Sequence, residues 1–184
     1  MLIGICGAAG SGKSTVARLL VEEHQFMRKP FAYRLKSMLS ALGVPAGILD
    51  GTPEQKNEPC VALDGITPRH AMQTLGTEWG RDCMGKDFWV NLWLRDYKTI
   101  PSTTRIVADD VRFHNEVAAI RSLGGVVVRV IRPNAEVVAA SHASEQSGTL
   151  NVKFTLINAG DLEDLRKDVC QLVKNYSWAA EAVQ

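Results

Sequence analysis

Apolar and polar positions in this chain follow two periods. Short unbroken apolar runs read as buried strands: Leu2-Ile3-Gly4-Ile5-Cys6, Arg105-Ile106-Val107-Ala108, Val126 to Ile131, and Phe154-Thr155-Leu156-Ile157. Between them, apolar residues return every three or four positions, the spacing of one helix face. A first helix opens at Lys13 with Val16, Leu19, Leu20 and Glu23; a second carries Leu35, Met38, Leu39 and Leu42. Thr67-Pro68 is a cap followed by a first-turn proline, so a third helix should run from there toward Cys83. A fourth is predicted from Phe88 to Tyr97. A fifth has Val117, Ile120 and Leu123 inward and stops at Gly124-Gly125. The last starts at Asp161 and shows Leu162, Leu165, Val169, Leu172, Val173 and Tyr176.

Strands that alternate with helices predict an α/β fold, three layers α/β/α around a mostly parallel sheet of about five strands. In such a fold, ligands gather at the carboxyl ends of the strands. One stretch breaks the rhythm. Residues 43–66 hold Gly43, Pro45, Gly47, Gly51, Pro53, Pro59 and Gly65, too long for an ordinary connection. A partly structured insertion near a substrate is expected there.

Composition narrows the class. At 184 residues the chain suits a single domain, and a net charge of +1 gives no broad basic surface for nucleic acid. Cys6, Cys60, Cys83 and Cys170 form no C-x-x-C pair and no metal-ligand spacing with the four histidines, so they read as small apolar thiols in a reducing compartment. No run reaches membrane-spanning length and no basic leader precedes the first strand. A soluble cytoplasmic protein with no membrane partner is expected.

Gly7-Ala8-Ala9-Gly10-Ser11-Gly12-Lys13-Ser14 then supplies the chemistry. It matches G-x-x-x-x-G-K-S/T between a predicted strand and a predicted helix, the setting of a phosphate-binding loop. Gly7, Ala9, Gly10, Ser11, Gly12, Lys13, Ser14 and Thr15 are the candidate cradle: their backbone N–H groups turn toward phosphate oxygens. Lys13 can reach the β- and γ-phosphates, and the Ser14 hydroxyl can ligate Mg²⁺. The positive end of the helix dipole adds to the same anion. ATP with Mg²⁺ is the expected donor.

Three other segments could carry function. Arg69, Gln73, Thr77 and Arg81 recur every four residues on the third helix, opposite Met72, Leu75 and Trp79. That stripe suits a phosphate and a base edge, or is a solvated helix face; Trp79 reads as core. Asp109-Asp110-Val111-Arg112-Phe113-His114-Asn115-Glu116 leaves the carboxyl end of a strand. A carboxylate there could hold a metal-bound water or substrate, or the turn could serve only to cap a helix with Asp110 or Asn115. Arg132 follows another strand end, and the segment through His142 and Glu145 could form a lid that brings this arginine to the transferring phosphoryl. Alternatively, Arg132 forms a surface ion pair and His142 is an exposed loop residue.

Met72-Gln73-Thr74-Leu75-Gly76-Thr77-Glu78 with Arg81, then Asp110-Val111-Arg112-Phe113-x-Asn115-Glu116, then His142-x-Ser144-Glu145, stand in this order behind the phosphate loop. Together they resemble the deoxynucleoside monophosphate kinase family of tailed bacteriophages. Phe31-Ala32-x-x-Leu35-Lys36 resembles the family's segment beneath the acceptor nucleotide. Ile157 to Leu165 resembles the final strand and adenine-side loop of small-molecule kinases, which puts Asn158 near adenine. The likeness runs from Gly7 to about Leu165; the insertion at 43–66 matches nothing recognisable.

The resemblance implies one P-loop kinase domain over 1–184, with an acceptor-side insertion at about 31–98 and a lid segment at about 132–150. It implies that Asp110, Arg112 and Glu116 hold the acceptor nucleotide, with Arg69, Gln73 and Arg81 along the same pocket and Lys36 near the acceptor phosphate. It also implies a homodimer. The expected reaction moves the γ-phosphoryl of ATP to a deoxynucleoside monophosphate, with Lys13 and Arg132 as the catalytic cations. Two rivals remain at this point. A hydroxyl acceptor, as in dephospho-coenzyme A kinase, would want a carboxylate base, and Asp110 could serve. A nucleotide-dependent switch would transfer phosphoryl only to water, but no Asn-Lys-x-Asp guanine-reading segment occurs.

Overall fold

The structure, a computed structural model, describes residues 1–133, 150–152 and 154–181, the side chains of 177–181 excepted. The expected segment around His142 and Glu145 lies outside the described residues. Five strands form one all-parallel sheet in the order β2-β3-β1-β4-β5: β1 (Leu2–Cys6), β2 (Phe26–Arg28), β3 (Arg105–Ala108), β4 (Val126–Ile131) and β5 (Phe154–Ile157). All five residues of β1 are buried, as a central strand covered on both faces must be. Ile3 aligns with Val107 on one side and Val126 on the other.

Four of these strands coincide with the apolar runs. The fifth, β2, has no such run: it is three residues long, and Met27 and Arg28 are exposed. A strand so short at a sheet edge shows no alternation to detect.

Helices α1 (Lys13–His24), α7 (His114–Ser122) and α8 (Leu162–Glu181) accompany the sheet. Val16, Ala17, Leu19 and Leu20 of α1 and Leu165, Val169 and Val173 of α8 join Ile3, Ile5, Val107, Val128 and Val130 in one core. α8 begins where the sequence places it, with Asp161 Oδ1 accepting from the amides of Glu163 and Asp164 at 2.8 and 3.0 Å.

The chain divides into two compact units. The first contains the sheet and these three helices. The second, residues 31–99, holds α2 (Tyr33–Ala41), α3 (Ala46–Leu49), α4 (Pro53–Asn57), a 3₁₀ turn at Val61–Leu63, α5 (Pro68–Thr74), a π-helical stretch at Leu75–Cys83 and α6 (Phe88–Tyr97). It has its own core of Leu35, Leu39, Val44, Leu49, Cys60 and Trp89, with Met72, Leu75 and Trp79 packed against it. Trp79 is therefore core, as its helix face predicts. Met38 and Leu42 are not: both are exposed, and α2 buries only Leu35 and Leu39.

The third predicted helix changes hand-hold halfway. α5 is capped by Thr67, whose side chain accepts from His70 N at 3.2 Å. From Leu75 the helix widens, and Met84 N bonds back five residues to Trp79 O at 3.1 Å. The cause lies in packing. The Trp89 indole sits so close that a Cβ on Gly80 would stand 2.1 Å from its Nε1. That Nε1 donates to the Gly76 carbonyl at 2.8 Å. Arg69 and Gln73 therefore sit on α5, and Thr77 and Arg81 on the wider stretch that follows.

Candidate active site

The phosphate loop leaves the end of β1, and Gly12 caps α1 with φ +104°, a left-handed conformation that favours glycine. A side chain there would also meet an obstacle, because its Cβ would lie 2.4 Å from Asn158 Nδ2. Asn158 follows β5 and donates to the Ser11 carbonyl at 3.0 Å, so the expected adenine-side residue ties down the phosphate loop. Its own amide donates to Ile131 O at 2.7 Å. Ser11 is buried, whereas Ala9, Gly10 and Ser14 are exposed, and Thr15 is half-buried.

Lys13 opens α1 and folds over the loop, donating from Nζ to the carbonyls of Gly7 and Ala8 at 2.8 and 2.6 Å. Burial, followed by the nearby Arg112 guanidinium, pushes its ammonium down to about 8; Cys6, Asp109 and Asp110 oppose the shift. A cation strained in this way is stabilised by an arriving polyanion. The Lys13 and Arg112 charges are thus close enough to act on one another.

The strand β3 leads directly into a turn at Asp109 and Asp110. Val111 N donates to Ile5 O at 3.0 Å, which fixes this turn to the strand that feeds the phosphate loop. Asp109 is buried, and its Oδ2 accepts from Arg28 Nε at 2.9 Å. Its Oδ1 is buried with no hydrogen-bond partner among the described residues. Burial, reinforced by Asp110, pushes the Asp109 carboxyl up against the opposing pull of Arg28. Sequence reasoning missed Arg28, because it sits on the strand that left no pattern.

Glu116 lies in the first turn of α7 and is buried. Its Oε2 accepts from the amides of Arg112 and Phe113 at 2.7 and 3.0 Å, satisfying donors at the helix start. Burial first, and then Asp110, push its carboxyl up to about 7. Asn115, the second residue of α7, accepts from Glu116 N through Oδ1 at 3.1 Å. Arg112 itself is exposed. Arg132 is exposed at the carboxyl end of β4.

In the second unit, Lys36 Nζ meets Asp50 Oδ1 at 2.7 Å and Arg69 Nε donates to Asn57 Oδ1 at 2.8 Å. Arg69, Gln73, Thr77 and Arg81 are half-buried, whereas His70, Thr74, Glu78 and Asp82, one position on, are exposed. The four stripe positions are thus less exposed than the residues that follow them.

Among the described residues, no helix is long and apolar enough to cross a membrane, and no group of three or more His, Cys, Asp or Glu could hold a metal by itself.

A strand–loop–helix phosphate site beneath a central parallel strand, in this strand order, defines a P-loop kinase fold. A crystal structure of TT1252 from Thermus thermophilus shares it, with a TM-score of 0.51 over 95% of this chain and 97% of that one at 17% identity. The deoxynucleotide monophosphate kinase family matches residues 53–169. A protein of Acanthamoeba polyphaga mimivirus named "Putative deoxynucleotide monophosphate kinase" is 32% identical over 96% of this chain and 98% of its own length. The chain belongs to the deoxynucleotide monophosphate kinase family, a family of phosphotransferases.

Proposed function

We propose that this chain transfers the γ-phosphoryl group of ATP to deoxynucleoside monophosphates, yielding deoxynucleoside diphosphates and ADP for DNA synthesis. The observation that carries the reading is that Lys13 folds over the phosphate loop while Val111 N, between Asp110 and Arg112, donates to Ile5 O of the strand that feeds this loop, in a chain of this family. An acceptor phosphate oxygen attacks Pγ in line. The bond from Pγ to the β,γ-bridging oxygen breaks, and its electron pair leaves with ADP. The acceptor is already anionic, so no general base is needed. Lys13 and Arg132 neutralise charge on the transferring group.

Gly7, Ala9, Gly10, Ser11, Gly12, Ser14 and Thr15 cradle the donor phosphates, and Asn158 stands on the adenine side. Lys36, Arg69, Gln73, Arg81, Asp110, Arg112 and Glu116 hold the acceptor. Mg²⁺ fits the donor set: Ser14 offers a hydroxyl, and the unpartnered Asp109 Oδ1 offers a buried anionic acceptor for a metal-bound water. When bound, the ion would supply charge neutralisation to the donor phosphates. The protein works as a cytoplasmic homodimer in this reading, and light scattering of the purified chain checks that state.

The deciding experiment is ADP release with Mg-ATP against a panel of deoxy- and ribonucleoside monophosphates, with products separated by anion exchange. Deoxynucleoside diphosphates formed far above background ATP hydrolysis are expected. If only dephospho-coenzyme A or another hydroxyl compound accepts phosphoryl, the acceptor assignment is wrong. If ATP is bound and only hydrolysed, the transfer reaction itself is wrong.

A further inference from the structure

The 43–66 segment explains nothing in the reaction as described so far, yet it is not a slack loop. Val44, Leu49 and Cys60 are buried in the same core as Leu35 and Leu39 of α2, with Ala71 and Met72 of α5 packed against that core. Within the segment, α4 carries a full capping box: Gln55 N donates to the Thr52 hydroxyl, and Thr52 N donates to Gln55 Oε1 at 2.8 Å. The segment is therefore fixed to two helices at once, α2 with Lys36 and α5 with Arg69.

It meets each of those cations with a polar group. Asp50, just after α3, meets Lys36 Nζ at 2.7 Å, and Asn57, the last residue of α4, accepts from Arg69 Nε at 2.8 Å. Asp50 and Asn57 are exposed, whereas Lys36 and Arg69 are half-buried. Surface pairs of this kind add little to stability, but they can fix long side chains in one orientation. An ammonium has three donors, so a bond to Asp50 leaves capacity for a phosphate oxygen. A guanidinium held at Nε keeps its planar fork oriented. Ordering lysine and arginine before the ligand arrives removes that entropy cost from binding.

We propose that the 43–66 segment is part of the acceptor machinery, with Asp50 and Asn57 as positioning residues that present Lys36 and Arg69 to the acceptor phosphate. This rests on the reading that places Lys36 and Arg69 in the acceptor site.

Steady-state kinetics of the full chain test it, with Asp50→Asn and Asn57→Ala made alone and in Lys36→Ala and Arg69→Ala backgrounds respectively. Each single variant should raise the acceptor KM about two- to fivefold, with the KM for ATP and the melting temperature unchanged. In the lysine- or arginine-deleted background, the partner change should add nothing. The role of the segment is overturned if the acceptor KM is unchanged or falls, or if the same increment persists without the cation. Lys36→Ala and Arg69→Ala that both keep a wild-type acceptor KM would instead overturn the acceptor assignment beneath the proposal.

Discussion

Asn158 Nδ2 donates to the Ser11 carbonyl at 3.0 Å, a bond between residues 147 apart in sequence. The end of the last strand thereby props the loop that leaves the first. Asn158→Ala removes the donor and leaves a partly buried carbonyl without it, which costs about 1 kcal/mol. ATP affinity should fall about fivefold, with acceptor affinity unchanged, by calorimetry with each nucleotide. Equal weakening of both would show that Asn158 does not act through the phosphate loop.

Lys13→Ala should lower turnover by on the order of 10²–10³, the loss typical of removing one donor to a developing anion. The free lysine titrates at about 8, below its ordinary value, and a bound triphosphate raises it again. ATP affinity in the wild type should therefore decline as pH rises past 8. In Lys13→Ala that limb should be absent, which a series of binding isotherms from pH 7 to 9 checks.

Glu116 titrates at about 7 in the fold against an ordinary 4.5, with Asp110 and Arg112 as the charged groups acting on it. Between those two pH values the folded protein holds the proton more tightly than the unfolded chain. Its contribution to stability therefore falls as pH rises from 4.5 to 7. Glu116→Gln should flatten that slope in denaturant melts. In activity the sign reverses: the carboxylate is the better acceptor for the amides of Arg112 and Phe113. The wild type should lose acceptor affinity below pH 7, and Glu116→Gln should stay low throughout.

Gly80→Ala tests the π-helical stretch. The new Cβ would displace the Trp89 indole and break its bond to Gly76 O. A loss of about 2–4 kcal/mol is expected from the overpacking and the lost bond together. The melting temperature and the tryptophan fluorescence of the variant measure it. An unchanged melt would mean that Trp89 relocates freely.

Much of this is legible in the amino-acid sequence itself. Apolar runs mark β1, β3 and β4 because a strand covered on both faces has no polar side to show; β5 is legible from its apolar residues although Thr155 and Ile157 are exposed. The phosphate loop is legible because its backbone conformation demands glycines at fixed spacing. β2 was silent, being three residues at an edge, and Arg28 went with it. The widening at Leu75 was silent too, because a π register depends on the fit of Trp89 against Gly80 and not on any local repeat. Glu116 was visible only as a motif letter; the two amides it satisfies appear once the turn folds back on α7. Asp50 and Asn57 sit in a stretch whose prolines and glycines mask the apolar anchors Val44, Leu49 and Cys60.

The strand order has a consequence for a chain made from one end. β1 is laid down first but occupies the middle of the sheet, and its two neighbours begin only at Arg105 and Val126. For roughly a hundred residues of synthesis, a fully apolar strand has no partner on either side. The stretch that emerges meanwhile, 31–99, is continuous and carries its own core. On a ribosome, the order of assembly should thus invert the order of the sequence: the middle settles first and the beginning closes late.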